Sequence, residues 1–294
     1  MVSAHGSLVE EIALTVPPGR ADMHPSLTVA YNSHNKNGML GVGWYLKGLS
    51  SITRSNDYVI NFDNNDKFKL DGEALFYNAT DARYHTKSEK YLRIKAFNLN
   101  SEGSYWEVTD KGGIKYTYGA TAQSHVNAVG KVQALFWALN KVEDPNGNYY
   151  EIQYNETGDG AFYPTKIIYT KHNSTPVTQH YMVVFDYVTR PDHTAKYVPT
   201  KVQMTKRLDG INIYAGSTAT GTGGSLLRKY KFTYELSPVT NQSRLTQLQE
   251  FGSDGSSSLP AFRFEYNTIA TDVASDQATV ATSPPALPPM PATA

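Results

Sequence analysis

The sequence predicts an all-β protein, an antiparallel, hairpin-rich sheet assembly with little helix, and three observations carry that expectation. Tyrosine is abundant, 21 residues beside 11 Phe and 3 Trp, and aromatic and β-branched side chains suit a half-buried pleated surface. Runs of four to eight residues with period-two alternation recur between Gly, Asn, Asp and Pro clusters from residue 8 to residue 266. Helical spacing is convincing nowhere: the best stretch, Val129 to Leu139, contains Phe136-Trp137 and reads equally well as the start of a strand. At most one or two short helices are expected, and the sheets could form a sandwich or a segment of a curved shell.

In chain order, the first clear strand is Ser26 to Tyr31 (SLTVAY), followed by the glycine-rich stretch YNSHNKNGMLGVGWYL, residues 31 to 46. That stretch is no phosphate cradle. Gly-x-Gly-x-x-Gly would need its third glycine where Leu46 stands, and a Walker-type loop would need Lys-Ser/Thr where Trp44 and Tyr45 follow Gly43. Asn37-Gly38 is a tight-turn signal, Gly41 and Gly43 permit a close backbone approach or a bulge, and Trp44 is a large core anchor. The stretch therefore reads as a turn between strands Leu27 to Tyr31 and Val42 to Leu46.

Lys67 to Leu70 is the next strand, ending on the turn pair Asp71-Gly72. Two segments then share one grammar, Trp106 to Tyr118 and Trp137 to Tyr154: an aromatic-led strand, an Asp-to-Gly turn (Asp110 to Gly113, Asp144 to Gly147-Asn148), and alternating tyrosines. Asp and Asn close such turns through their side chains, so each segment reads as a hairpin. Tyr181 to Tyr187, Lys229 to Tyr234 and Ala261 to Tyr266 follow as strands with Phe-x-Tyr pairs, which place two rings on one face. A large aromatic core accounts for this pattern, and a sugar-stacking platform is the competing account.

Composition excludes several classes. Lys plus Arg equals Asp plus Glu at 27 each, so no net field attracts nucleic acid or an anionic membrane. Cysteine is absent, which removes disulfides, thiolate catalysis and thiolate metal sites. No apolar run approaches the length of a membrane-spanning helix. The start MVSAHGSLVEE lacks a basic region followed by an apolar one, so export is expected by a non-classical route, from the cytoplasm to the outside.

No catalytic, cofactor or metal site emerges. The histidines at 5, 24, 34, 85, 125, 172, 180 and 193 include no pair at metal-ligand spacing, and His24 and His34 could at most meet Asp22 or Asp63. No Gly-x-Ser-x-Gly elbow is present. The interval from Asn61 offers Asn61, Asp63 and Asn65, but Asp66 and Gly72 stand where a calcium loop needs Gly and Glu; from Asp144 the series fails at Tyr149. Hairpin turns are the expected explanation of both.

A longer signature surrounds the glycine-rich stretch. Ile12 to Ser33 contains Val16-Pro17-Pro18-Gly19, Pro25-Ser26-Leu27 and Tyr31-Asn32-Ser33; Asn37-Gly38, Leu40-Gly41-Val42-Gly43-Trp44 and Ile52-Thr53-Arg54 follow. Asp66 to Gly72 with Leu75, the Trp137 to Tyr154 segment with Asp144, Gly147 and Asn148, Arg228 to Tyr234, Ser243-Arg244-Leu245 and Phe264-Glu-Tyr266 extend it. The whole resembles the N-terminal domain shared by the Salmonella plasmid virulence protein SpvB and the B components of bacterial insecticidal toxin complexes, over roughly residues 8 to 267. The resemblance implies a non-enzymatic shell or adaptor module whose partners are other toxin-complex subunits or a fused C-terminal effector domain. It implies no ADP-ribosyltransferase activity, because the Glu-x-Glu pair and Ser-Thr-Ser strand of that activity are absent.

The expected organisation is a flexible start over residues 1–7, the β domain over 8–267, and a linker or disordered tail over 268–294, which has no aromatic, no Lys or Arg, and five prolines between Pro284 and Pro291. A linker of this kind suggests a fragment of a longer chain. The alternative function is a carbohydrate or host-surface binding module, since exposed Tyr and Trp could stack on sugar rings. Enzyme activity would require a deep pocket with convergent titratable groups.

Overall fold

The computed structural model describes every residue except 1, 3–5, 56–58, 64, 128–129, 157–160, 198–200, 267–277 and 283–294. Strands dominate, and among the described residues the single helical element is a 3-10 turn at Arg20–Asp22. The all-β, hairpin-rich expectation holds, and the choice between sandwich and shell resolves into three connected parts: a small sheet, a closed barrel and a long meander.

The small sheet comes first. β1 (Val9–Leu14), β2 (Leu27–Asn32) and, beyond the two-residue strands β3 (Asn37–Gly38) and β4 (Gly41–Val42), β5 (Trp44–Lys47) form a three-stranded antiparallel sheet in the order β1-β2-β5. β3 and β4 pair as their own short hairpin, so the stretch expected as a plain turn contains a hairpin of its own. Alternation decides the faces: Leu27, Val29 and Tyr31 are buried on β2, and Trp44 and Leu46 on β5.

The barrel follows. Its strands are β6 (Ser51–Ser55), β7 (Lys67–Leu70), β8 (Glu73–Asn78), β9 (Arg83–Thr86), β10 (Arg93–Phe97), β11 (Tyr105–Thr109), β12 (Lys115–Tyr118) and, after β13 (His125–Asn127), β14 (Ala134–Glu143). Successive hairpins join β6 through β12, β12 pairs with β14, and β14 pairs back onto β6 through Phe136–Thr53 and Trp137–Ile52, which closes a ring of eight strands. Closure leaves no free edge around this ring. β7 and β8 meet at the two-residue turn Asp71-Gly72, with Leu70 opposite Glu73, and the Asp71 carboxylate accepts hydrogen bonds from the Ser51 amide and the Ser50 hydroxyl.

β14 is the seam of the molecule. Its lower part pairs with β13 and β6, its upper part with β12 and β15 (Asn148–Glu156). From there the meander runs through β16 (Phe162–His172), β17 (His180–Tyr197), β18 (Lys201–Ser217), β19 (Ser225–Leu236), β20 (Ser243–Phe251), β21 (Phe262–Tyr266) and β22 (Ala278–Thr282), each antiparallel to its predecessor. The tail expected as a linker thus contains a strand at Ala278–Thr282, and the rest of residues 268–294 lies outside the described residues. Within the expected flexible start, Val2 bridges to Leu8, while residues 1 and 3–5 are also outside them.

The aromatic residues supply the core. Trp106, Trp137 and Phe68 fill the barrel, with Trp106 and Trp137 at 5.8 Å and Phe68 edge-on to Trp106 at 4.9 Å. Trp44, Tyr31 and Phe264 fill the contact between the small sheet and the meander.

Candidate functional site: the signature joint

Hydrogen bonds from the small sheet and its connections run to the meander, and they define a densely bonded joint. The Trp44 indole N–H donates to the Tyr266 hydroxyl at 3.1 Å, which donates in turn to the Leu245 carbonyl at 2.8 Å. The Thr15 amide donates to the Tyr230 hydroxyl at 2.9 Å, and the Tyr169 hydroxyl donates to the Pro17 carbonyl at 3.1 Å. Three tyrosines of the meander thus use their apolar bodies as core and their hydroxyls to satisfy groups at the entry and edge of the small sheet.

The β3–β4 hairpin is clasped more strongly. β17 has a register shift against β18 between Thr189 and Thr194, a bulge that contains Arg190-Pro191-Asp192 and re-aims both charged side chains. Arg190 makes a two-pronged ion pair with Asp192, both contacts at 3.0 Å, while its guanidinium also donates to the Gly38 carbonyl at 3.0 Å and to the Asn37 side-chain carbonyl at 2.5 Å. Asp192 accepts further bonds from the Asn37 side-chain amide at 2.8 Å, the Ser243 backbone amide at 2.6 Å and the Ser243 hydroxyl at 2.7 Å. The side chain of Arg190 is fully buried and that of Asp192 nearly so.

Burial alone would raise the Asp192 carboxyl, but the hydrogen bonds from Arg190, Ser243 and Asn37 outweigh it and hold the group well below the usual carboxylate range. A buried charge is tolerable only when its partners are complete, and here every donor comes from the hairpin, the bulge or β20. The Leu208 amide adds a bond to the Met39 carbonyl at 2.8 Å, and Leu40 between the two short strands is fully buried.

The glycines of the stretch are dictated by this closeness. A Cβ on Gly41 would stand 2.5 Å from the Ser243 carbonyl oxygen, and one on Gly43 would stand 2.3 Å from the Tyr31 ring; both residues have positive φ. Gly19 likewise faces the Met23 carbonyl, 1.9 Å from an added Cβ.

The remaining signature residues divide by location. Pro17 and Pro25 are buried and Pro18 is exposed; the Ser33 amide donates to the Leu8 carbonyl and the Ser33 hydroxyl accepts from the Leu8 amide. Asn32 accepts from the His34 amide through its side chain. Arg54 lies inside the barrel, paired with Asp66 at 2.9 Å, donating to the carbonyls of Ala134 and Leu99, and placed over the Phe68 and Trp137 rings. Asp66 also accepts the amides of Asn61 and Phe62, so the interval that resembled a calcium loop is organised around an arginine rather than being a simple hairpin turn. Trp137 donates to the Ser104 carbonyl at 3.0 Å.

Asp144, Gly147 and Asn148 form the β14–β15 turn, with Asp144 accepting from the amides of Asn146 and Asn148 and from the Asn148 side chain. The β11–β12 turn repeats this chemistry through Asp110. His24 pairs with its near neighbour Asp22, and among the described residues no group of three or more His, Asp or Glu is placed to hold a metal.

Sequence reasoning found the hairpin side of the joint and missed the β17 side. Pro191 inside a strand-like run was the available signal, since proline in a strand marks an edge or a bulge.

A small N-terminal sheet clasped onto a barrel-and-meander body defines an all-β scaffold whose signature is spent on internal joints. The chain belongs to the family described as Salmonella virulence plasmid 65kDa B protein, SpvB, whose profile matches residues 2–209. It is 24% identical over 216 residues to the mono(ADP-ribosyl)transferase SpvB of Salmonella typhimurium, a stretch that makes up 55% of this chain and 36% of that protein. The chain therefore spans about a third of the length of that curated relative.

Among solved structures, it is similar to the N-terminal domain of the effector protein SpvB from Salmonella typhimurium strain LT2, with a TM-score of 0.66 at 19% identity, over 82% of this chain and 99% of that one. It is also similar to the crystal structure of TcdB2-TccC3-TEV, with a TM-score of 0.74 at 17% identity over 90% of this chain and 16% of that one. A Photorhabdus luminescens Tc holotoxin pore gives 0.73 at 18% identity over 89% and 16%. These likenesses establish the fold.

Proposed function

We propose that the chain is a non-enzymatic structural module of a bacterial toxin-type secreted protein, acting as part of a shell or as an adaptor. The observation that carries this reading is the fate of five charged groups in or against the signature: Arg190 and Asp192 hold the β3–β4 hairpin, Arg54 and Asp66 hold the barrel, and Asp144 holds a turn, so each of the five is consumed by backbone or by its partner. Such charges fix geometry, whereas a catalytic group needs a face open to substrate.

In this reading residues 8–267 are one SpvB-like module, extended by the strand Ala278–Thr282 paired to β21, and the rest of residues 268–294 is a linker. Its partners are other toxin-complex subunits or a fused C-terminal effector, and it leaves the cell by a non-classical route. The similarity to one domain of a large toxin assembly supports this, as does the match to the N-terminal domain of SpvB. The transferase activity named for the curated relative is not carried over, because its Glu-x-Glu and Ser-Thr-Ser residues are missing from this sequence.

The test is a pull-down of purified, folded protein with the toxin-complex subunits encoded beside it. Retention of one of them that survives 0.5 M salt, which shortens the Debye length from about 8 Å to about 4 Å, is the expected result. No retention of any of them by folded protein would overturn the reading.

A second reading, a carbohydrate or host-surface binding module, draws on one observation. The exposed aromatic rings among the described residues, Phe76, Tyr77 and Tyr91, all fall in the β8–β10 part of the barrel.

A further inference from the structure

The barrel opens at one end into a cleft of about 430 Å³ whose lining includes Asp63, Lys67, Phe76, Tyr77, Tyr84 and Asn100. That volume lies in the range of small-molecule clefts, and barrel mouths are a preferred place for them. A ladder of rings leads into it from the core: Trp137 to Trp106 at 5.8 Å, Trp106 to Tyr84 at 4.8 Å, and Tyr84 to Tyr77 at 5.1 Å. The ladder starts fully buried and ends in water, with Tyr77 58% and Phe76 54% exposed. Of the three exposed aromatic rings among the described residues, Phe76, Tyr77 and Tyr91, two stand beside this one cleft.

The polar groups of the cleft narrow the occupant. Asp63 accepts two bonds from Asn65, and a carboxylate has capacity for about four. Asp66 on the cleft floor is neutralised by Arg54. An apolar peptide seated here would strip water from the Asp63 carboxylate and return nothing, a costly exchange. An anionic ligand would face Asp63 directly. A pyranose ring answers these features, since its C–H face stacks on a phenol ring while its hydroxyl groups donate to a carboxylate.

We infer that the barrel mouth is a binding subsite for a neutral pyranoside, with Tyr77 as the stacking platform and Asp63 as the hydroxyl acceptor. This rests on the second reading above, that the module binds carbohydrate. The firmly packed partner of Tyr77 is Tyr84, itself wedged edge-on against Phe68 at 5.8 Å and Trp106, so the platform is presented by a rigid interior rather than by a loop.

The experiment is a glycan array carrying neutral, sialylated and sulfated glycans, probed with the wild-type chain, Tyr77→Ala, Tyr77→Phe, Asp63→Asn and the distant surface control Leu236→Ala, with a melting curve for each. Neutral glycans should bind the wild type, Tyr77→Phe and Leu236→Ala, and affinity should fall about tenfold or more in Tyr77→Ala, the loss expected for one ring-stacking contact plus its buried area. Neutral binding unchanged by Tyr77→Ala, or binding confined to charged glycans, would overturn the subsite while leaving carbohydrate binding elsewhere on the module intact. A blank array with folded protein would overturn the subsite and the carbohydrate reading together.

Discussion

Asn37 and Asp192 stand 155 positions apart in the chain, and the Asn37 side-chain amide donates to the Asp192 carboxylate at 2.8 Å. That bond joins the β3–β4 hairpin, which connects β2 to β5 of the small sheet, to the middle of the meander, and Arg190 completes it by gripping the Asn37 side-chain carbonyl and the Gly38 backbone carbonyl. The glycine-rich stretch is therefore a latch whose other half lies in the bulge of β17.

Removing one half of the latch should be expensive. Arg190→Met leaves Asp192 buried without its counter-ion, and breaking a buried pair in this way costs about 3–5 kcal/mol. Arg190→Lys should recover little, because the three donors of an ammonium diverge from one nitrogen and cannot reproduce the four bonds of the planar fork, two of them to Asp192. Urea denaturation of the three proteins checks the ranking, and a Lys variant as stable as wild type would contradict it.

The glycines provide an internal comparison. Gly41, Gly43 and Gly72 all have positive φ, but an added Cβ meets the Ser243 carbonyl at Gly41, the Tyr31 ring at Gly43 and nothing within 4 Å at Gly72. Gly72→Ala should cost about 1–2 kcal/mol, the conformational penalty alone. Gly41→Ala and Gly43→Ala should each exceed it by about 1–3 kcal/mol through overpacking. Equal melting temperatures for the three variants would show that the hairpin is not held as tightly as its geometry requires.

Trp44 is the anchor of the same joint. It is 1% exposed, lies 4.3 Å from the Phe264 ring and donates to Tyr266. Trp44→Ala should destabilise by about 3–5 kcal/mol. Trp44→Phe should be milder, since Tyr266 keeps its bond to the Leu245 carbonyl. Thermal unfolding followed by circular dichroism distinguishes the two.

How much of this was legible in the sequence depends on how local the chemistry is. The Asp110 and Asp144 turns were readable because one carboxylate and the amides it accepts lie within a few residues, and the strands were readable from alternation. The role of Trp44 as an anchor followed from its size and setting. Closure of the barrel was not readable: it depends on Trp137 meeting Ile52, and a pairing between such distant residues leaves no local trace. The bulge at Arg190 to Asp192 was half-signalled by Pro191, but the identity of what it grips lies in a different part of the chain. The exposure of Tyr77 was equally hidden, since the Phe-Tyr pair of its strand uses the same alphabet as the buried strands.

Acid should weaken the joint before base does. The Asp192 and Asp144 carboxyls are both held below their ordinary range in the folded chain, their hydrogen-bond donors outweighing burial. A carboxyl lowered on folding binds its proton more readily in the unfolded chain, whose value is about 3.9, so its contribution is complete above that pH and is lost as pH falls below it. Stability should therefore drop between about pH 4 and pH 2. Asp192→Asn should be less stable at neutral pH and show a shallower acid slope; an unchanged slope would show that other carboxyls govern the acid transition.

The central claim, that the signature is an internal joint binding the small sheet to the meander, is tested most directly by hydrogen–deuterium exchange. If it is right, the amides of Leu27–Asn32 and Trp44–Lys47 exchange as slowly as those of β19 and β20, through one shared opening, and Arg190→Met accelerates both sets together. Rapid exchange across the small sheet while β19 and β20 stay protected, unaltered by Arg190→Met, would contradict the claim and make the signature a separately opening flap.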